Sequence, residues 1–212
     1  MADYARARAN MVENQLRPSR IEDPAVLAAM GAVPRERYVP EPLRGVAYGD
    51  DDLALGDGRY LIEPLALGKL LQAAAPTGRD FALLVGDVTG YVAAVLVRLV
   101  GPVVSLVPPS ARPLPPEDGA DQLVLEEGPP ELGVPARAPF DLILLVGAVP
   151  ELPPALLDQL GSEGRLVAVV EHGRSGHVTV ARKVHGAIGR IVPFDARIHR
   201  LPGLHRAPAF TF

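Results

Sequence analysis

The chain has no cysteine among its 212 residues, so disulfides, thiolate metal sites and cysteine nucleophiles are excluded. It also lacks any run approaching the roughly 18 apolar residues that a membrane-spanning helix needs. Residues 1–17 contain no apolar segment of the kind that a secretory signal carries. The net charge is -4 and no basic stripe stands out, which argues against nucleic acid as a partner. We therefore expect neither a membrane nor a nucleic-acid partner.

Apolar residues, in contrast, are plentiful. The chain is 48% hydrophobic and 22% charged, with a mean hydropathy of +0.18, which predicts a sizeable core rather than disorder. The length suits one domain, at about 100–200 residues per domain. We expect a soluble, cytoplasmic protein with a single domain over residues 1–212. Within it, residues 1–63 would form an N-terminal helical cap and loop, and residues 64–212 the core.

The pattern of apolar residues predicts the secondary structure. Short apolar runs, typical of the buried strands of a parallel sheet, occur at residues 81–85, 103–107, 123–125, 140–146 and 166–170. Helical spacing or helix-start signals occur at residues 3–16, 23–30, 64–75, 89–99 and 153–160. Period-two alternation over residues 178–180 and 188–192 predicts antiparallel strands that close the sheet. The alternation of strands and helices predicts an α/β fold with right-handed crossovers.

Two segments interrupt this pattern. Residues 31–58 are rich in turn residues yet hold apolar side chains such as Tyr38 and Tyr48, which predicts an ordered loop with short helical turns. Residues 108–119 stand where a crossover helix is expected, but the 108–116 stretch is dense in proline. Each proline costs about 3 kcal/mol in a helix interior, so we predict an extended loop there.

The loop after the first buried strand is the candidate ligand-binding segment. In open α/β sheets, ligands bind at the carboxyl ends of the strands, and glycines let the backbone approach a ligand closely. Gly86, Asp87, Thr89 and Gly90 are therefore candidate cofactor-binding residues. For Asp87 and Thr89 the alternative is that they cap the helix that follows.

Several stretches match the pattern of one family. They are residues 11–16, 21–27, 32–40 with Val33-Pro34-Arg35-Glu36, 47–58, 140–143 and 156–167. In them the chain resembles the protein-L-isoaspartate O-methyltransferases, from about residue 9 to about residue 170. The resemblance implies a Rossmann-like S-adenosylmethionine (SAM) methyltransferase fold. It also implies methyl transfer from SAM to the side-chain carboxylate of isoaspartyl residues, which is a protein-repair reaction.

The chain departs from the family at the positions that bind the methyl donor. The family's first-strand motif reads approximately acidic-V-G-x-G-T-G-Y, and here Leu84 stands at the acidic position and Val88 at the second glycine. A branched Cβ at Val88 resists positive φ and adds bulk towards the methionine moiety. Val107 stands where the family has the acidic residue that holds the ribose. Each ligand polar group left unpaired costs roughly 1–3 kcal/mol, so we expect SAM to bind poorly or not at all.

The acceptor side departs from the family as well. Residues 58–64 match the family's G-Q-T-I-S-x-P, and Ile62 stands where the catalytic-site serine is expected. The serine's role is therefore not assigned to any residue. Arg59 and Tyr60 are the candidates for holding an anion, because a guanidinium suits a carboxylate. The alternative for Arg59 is that it is a solvated loop residue.

Other polar residues give weaker signals. The five histidines, His172, His177, His185, His199 and His205, lie near the C-terminus without a tight metal-ligand spacing. The run Asp50-Asp51-Asp52 points in alternating directions, as in a solvated loop. We therefore predict surface histidines and no metal site.

Three hypotheses follow. The first is a working isoaspartyl-type carboxyl methyltransferase. The second is a non-catalytic descendant that keeps the fold and binds a protein partner or forms a homodimer. The third is an enzyme with a different small ligand in the reshaped crevice, with Asp87, Arg59 and Tyr60 as its polar groups. On physical grounds the sequence favours the second hypothesis over the first.

Overall fold

The computed structural model describes residues 3–109, 111–173 and 175–204. Their strands are β1 (Leu53–Gly56), β2 (Arg59–Leu61), β3 (Ala82–Val85), β4 (Val103–Val107), β5 (Leu123–Glu127), β6 (Phe140–Val149), β7 (Leu160–His172), β8 (Ser175–Val184) and β9 (Ala187–Asp195). The last seven form one sheet in the order β5-β4-β3-β6-β7-β8-β9. Strands β3 to β7 pair in parallel, whereas β8 and β9 are added antiparallel. The predicted Rossmann-like fold with antiparallel C-terminal strands is confirmed.

The helices are α1 (Tyr4–Met11), α2 (Pro24–Ala32), α3 (Pro64–Ala74), α4 (Tyr91–Leu96) and α5 (Pro154–Asp158). Helix α1 continues through a π-helical turn, Val12–Leu16. Helix α2 begins as the sequence predicts, because Pro24 occupies its first turn and the Asp23 carboxylate accepts hydrogen bonds from the N–H groups of Ala25 (2.8 Å) and Val26 (3.2 Å).

Alternate residues of β3 face two apolar cores. Ala82 and Leu84 join a cluster that includes residues of α1 to α4, whereas Leu83 and Val85 join a cluster on the other side of the sheet with Phe140. Both faces of β3 are therefore covered, as a parallel central strand requires. The N-terminal helices share the first cluster with the sheet, and the boundary at residue 63 stays a prediction. Among the described residues, no helix is both long enough and apolar enough to cross a membrane.

Several boundaries and one element differ from the sequence prediction. Helix α4 is shorter than residues 89–99, and β6 and β7 extend beyond residues 140–146 and 166–170. Residues 31–58 contain the expected helical turns (Arg35–Tyr38 and Glu41–Val46), but the segment ends in strand β1 of an unpredicted hairpin. Its turn is Asp57-Gly58, with φ of 52° and 70°. Two consecutive positive φ values are what a tight hairpin turn needs, and Asp-Gly is a favoured pair for it.

Residues 108–119 form no helix at the positions that the structure describes, which agrees with the predicted extended loop. Ala111 and Pro116 are buried, and the Leu114 N–H donates to the Thr89 carbonyl, so the segment packs against the start of α4. It is followed by a short 3₁₀ turn, Ala120–Gln122, that leads into β5.

Candidate functional site

A crevice opens at the carboxyl ends of β3, β4 and β5. Strand β3 is flanked by β4 on one side and β6 on the other, so the chain order reverses there, which is where open α/β sheets bind ligands. The cavity has a volume of about 480 Å³, and the residues that line it are Asp57, Arg59, Gly86, Val88, Leu106, Val107, Pro108, Gly128, Pro130, Leu201 and Pro202. Asp57 and Arg59 are the two charged residues in this lining. The crevice is thus mainly apolar.

Asp87 caps α4 and does not line the crevice. Its buried carboxylate accepts hydrogen bonds from the N–H groups of Thr89 (3.2 Å), Gly90 (3.0 Å) and Ala93 (2.8 Å), and from the Thr89 hydroxyl (3.0 Å). Burial raises the pKa of Asp87, and these hydrogen bonds oppose that rise. The carboxylate is fully occupied in holding the start of the helix.

Thr89 and Gly90 contact the proline-rich loop. The N–H of Leu114 donates to the Thr89 carbonyl at 2.9 Å, and a Cβ on Gly90 would lie 2.0 Å from the Leu114 carbonyl oxygen. Gly90 also has a φ of 89°, which favours glycine. Of the four candidate cofactor-binding residues, only Gly86 lines the crevice.

Three aliphatic residues stand at the positions where the resemblance implies donor-binding groups. Leu84 is fully buried in the core, and Val88 and Val107 line the crevice. Val88 is not among the described non-glycine residues with positive φ, so its effect on a ligand is bulk rather than backbone strain. After β5, Gly128-Pro129-Pro130 supply no polar side chain.

The segment after β9 supplies another wall of the crevice. Its backbone pairs with β6, since the Ala148 N–H donates to the His199 carbonyl and the Leu201 N–H to the Ala148 carbonyl, each at 2.8 Å. This pairing holds the buried Leu201 side chain against Gly86, where a Cβ would lie 2.3 Å from Leu201 Cδ1. Leu201 therefore occupies space directly above the end of β3.

Buried Arg35 of the Val33-Pro34-Arg35-Glu36 segment ties together the region that the resemblance implies to be the acceptor side. Its guanidinium donates to the carbonyls of Ala47 and Ile62 and lies 4.8 Å from the Tyr91 ring centre. Burial lowers the pKa of Arg35. The Ile62 side chain is buried, so this position contributes packing and offers no hydroxyl. In this chain the motif joins two loops to α4.

Asp52 and His199 form a polar clamp beside Tyr60. The Asp52 carboxylate accepts from the His199 N–H at 2.7 Å and from the Glu63 N–H at 2.8 Å, and it lies 2.8 Å from His199 Nδ1. The Tyr60 ring stacks on the His199 ring, with centroids 3.5 Å apart. The expectation that Asp52 belongs to a solvated loop is wrong, because its side chain is only 7% exposed. His199 lies at the surface, as expected, with its side chain 49% exposed, and Asp52 holds it in place.

Glu63 lies next to this clamp. Burial raises the pKa of Glu63 to about 7, with further contributions from Asp52, Asp50 and Asp51. The acidic run therefore helps to raise the pKa of the neighbouring Glu63 carboxyl. The sequence alone did not predict this effect.

Arg59 and Tyr60, the candidates for holding an anion, lie on β2 at the mouth of the crevice. Arg59 lines the cavity, and its Nη2 lies 3.6 Å from the Asp57 carboxylate. Tyr60 lines a smaller adjoining cavity of about 40 Å³ with His199. The two residues are therefore directed to different neighbours: Arg59 faces the crevice and Tyr60 stacks in the clamp.

The sequence offered little to identify His199 and Leu201 as parts of the site. Each lies more than a hundred residues along the chain from Asp52 and Gly86, so no local spacing connects them. In the described part of the chain, no three histidine or acidic residues are grouped so as to hold a metal ion. His205 lies outside the described residues.

Comparison with known proteins gives consistent matches. A profile of the Protein-L-isoaspartate(D-aspartate) O-methyltransferase family matches residues 6–192. The chain is 39% identical over 172 residues to the protein-L-isoaspartate O-methyltransferase of Desulfosudis oleivorans, covering 79% of this chain and 78% of the relative. It is 42% identical over 166 residues to protein-L-isoaspartate O-methyltransferase 2 of Anaeromyxobacter sp., covering 76% and 68%.

Solved structures show the same fold. One protein-L-isoaspartate O-methyltransferase matches with a TM-score of 0.73 and 22% identity, covering 91% of this chain and 65% of that chain. A beta-aspartate methyltransferase from Plasmodium falciparum, crystallised with S-adenosyl-L-homocysteine, matches with a TM-score of 0.73 and 17% identity, covering 96% of this chain and all of that one.

Proposed function

We propose that this chain, which belongs to the protein-L-isoaspartate O-methyltransferase family, is a non-catalytic member, a pseudoenzyme, that binds SAM poorly or not at all. Its role in this proposal is to bind a protein partner or a second copy of itself. The family's repair reaction, methylation of isoaspartyl carboxylates, is then one that this chain does not perform.

The observation that carries the proposal is the aliphatic lining of the crevice. SAM brings two ribose hydroxyls, a polar base edge and a charged amino-acid group, and each needs a polar partner once it leaves water. Val88 and Val107 stand among the wall residues, and Pro129 and Pro130 follow β5. Apart from Asp57, whose side chain is 91% exposed, the lining contains no carboxylate. These residues do not fit the nucleoside.

The backbone donors of the glycine loop support the same conclusion. The Gly86 N–H donates to the Leu106 carbonyl at 3.1 Å, and those of Thr89 and Gly90 donate to Asp87. The Tyr91 N–H donates to the Thr89 hydroxyl at 3.1 Å. A ligand carboxylate would have to displace one of these bonds to use any of these four donors. Four N–H groups of the loop are therefore already bonded within the protein.

Titration calorimetry with SAM and S-adenosylhomocysteine tests the proposal. We expect the wild-type chain to bind each with a Kd weaker than about 1 mM, whereas the Desulfosudis oleivorans relative serves as the positive control. The double variant Val88→Gly/Val107→Glu removes the branched Cβ and supplies a ribose acceptor, so we expect it to tighten binding at least about tenfold. Val46→Glu adds the same charge at an exposed position and should change nothing. A wild-type Kd in the micromolar range would overturn the proposal.

An active SAM-dependent carboxyl methyltransferase is the competing function. The identity of 39% to a relative of that name favours it, as does the retained Gly86 at the strand end. It predicts stoichiometric SAM binding by the wild-type chain and methyl transfer to an isoaspartyl peptide. The aliphatic crevice weighs against both outcomes.

The surface that supports partner binding is the edge strand β9. Its residues are almost all exposed, and the exposed apolar side chains include Ile191 (64%) and Val192 (56%). Within the described residues, β9 pairs only with β8, so its outer edge offers backbone groups to another strand. The oligomeric state of the chain in solution tests whether that partner is a second copy.

A further inference from the structure

The crevice keeps a built cavity although its walls do not suit a nucleoside. Its walls include Val88, Leu106 and Val107 on one side and Leu201 and Pro202 on another. The volume of about 480 Å³ lies within the range of small-molecule sites, which are mostly apolar with a few polar groups that fix orientation. Water gains few hydrogen bonds against such walls, so an apolar body is the better occupant.

Arg59 supplies the polar end of this cavity. Its Nε is buried and has no hydrogen-bond partner among the described residues, while Nη2 faces Asp57 at 3.6 Å. A buried N–H without a partner is costly, and a carboxylate oxygen would satisfy it with a charge-assisted hydrogen bond. Because the Asp57 side chain is largely in solvent, its ion pair with Arg59 is weak. The guanidinium is therefore available to an anion that enters the cavity.

We infer that the crevice binds a small amphipathic monocarboxylate, with its apolar chain against the aliphatic walls and its carboxylate on Arg59. One cation, partly balanced by Asp57, suits a single negative charge better than a phosphate dianion. The inference rests on the proposed loss of SAM binding, because a bound SAM would fill the same space. It goes beyond that proposal by assigning the reshaped crevice a ligand of its own.

Calorimetry with octanoate, 1-octanol and octylamine tests the inference on the full chain. We expect octanoate to bind with a Kd below about 0.1 mM, 1-octanol more weakly and octylamine weakest, because only the acid satisfies Arg59. Arg59→Gln should weaken octanoate at least about tenfold and change 1-octanol less than about threefold. Octylamine binding as tightly as octanoate would overturn the inference.

Two further variants separate the site from general effects. Arg17→Gln removes an exposed arginine that is paired with Glu13 at 3.0 Å, and it should leave octanoate binding unchanged. Val107→Asp puts a negative charge into the apolar wall and should weaken both octanoate and 1-octanol, with a retained melting transition showing that the chain still folds. If Arg59→Gln binds octanoate like the wild type, the inference is wrong.

The two proposals fail in different ways. Tight SAM binding that displaces octanoate contradicts the proposed function while leaving the anion site in place. The absence of octanoate binding together with the absence of SAM binding overturns the anion site alone.

Discussion

Asp87 shows how a residue in a ligand-binding motif can serve structure alone. Its four hydrogen bonds hold the first turn of α4, and the capping alternative was already apparent from an Asp followed two residues later by Thr89. Sequence reasoning therefore named both roles for this residue. The hydrogen bonds from Thr89, Gly90 and Ala93 decide between them in favour of the cap.

Glu63 makes a pH prediction at the same scale. The pKa of its carboxyl is about 7 in the folded chain, above the ordinary value of 4.5. The folded state therefore holds the proton more tightly than the unfolded state between these two values, and stability falls as the pH rises from about 4.5 to about 7. Since Glu63 is partly exposed, solvent screening limits the loss to about 1 kcal/mol.

Glu63→Gln should remove this pH dependence. We expect it to raise the free energy of unfolding at pH 8 by about 1 kcal/mol and to leave it nearly unchanged at pH 4, as measured by urea unfolding at both values. Glu163→Gln, at an exposed position, is the control and should have no such effect. Equal effects of Glu63→Gln at both pH values would contradict the prediction.

At the scale of elements, the proline-rich segment replaces a crossover helix by packing backbone against backbone. Its closest approach is at Gly90, where φ is 89° and a Cβ would lie 2.0 Å from the Leu114 carbonyl oxygen. Gly56 has the same φ of 89° but nothing within 4 Å of the corresponding Cβ. Comparing substitutions at these two glycines therefore separates the cost of backbone strain from the cost of steric contact.

We expect Gly56→Ala to cost about 1–2 kcal/mol from left-handed strain alone. Gly90→Ala should cost at least about 2 kcal/mol more, because Leu114 must also move away. Urea unfolding of the two variants measures both values, and protection of the Leu114 amide from hydrogen exchange reports the contact directly. Similar losses for the two variants would show that the segment does not press on Gly90.

The order of the elements was predictable from the sequence, whereas part of the site was not. Apolar runs such as residues 81–85 and 103–107 identify buried strands because both of their faces are covered. The β1–β2 hairpin carried a local signal in Asp57-Gly58, which the density of turn residues before it obscured. The clamp between Asp52 and His199 joins residues 147 positions apart, and only the folded chain brings them together.

For the whole molecule, the exposed edge of β9 predicts self-association. Antiparallel pairing of β9 with β9 of a second copy would satisfy the outer backbone groups and bury Ile191 against its counterpart. Size-exclusion chromatography with light scattering at about 100 µM chain should give an average mass above that of one 22.4 kDa chain, rising towards twice that mass as the concentration increases.

Ile191→Lys should shift this protein towards the single-chain mass, because a charge on an edge strand opposes pairing. Val46→Lys, at a side chain that is 58% exposed and far along the chain from β9, is the matched control and should stay associated. A wild-type protein that keeps the mass of one chain at every concentration measured would contradict self-association.

The wall that Leu201 and Pro202 provide has a consequence for biosynthesis. These residues follow β9, so a nascent polypeptide can assemble its whole sheet while the crevice still lacks one side. Uptake of a small molecule would then become possible only after the segment beyond the sheet has settled across Gly86. Ligand capture would thus depend on a segment that takes its place after the sheet has formed.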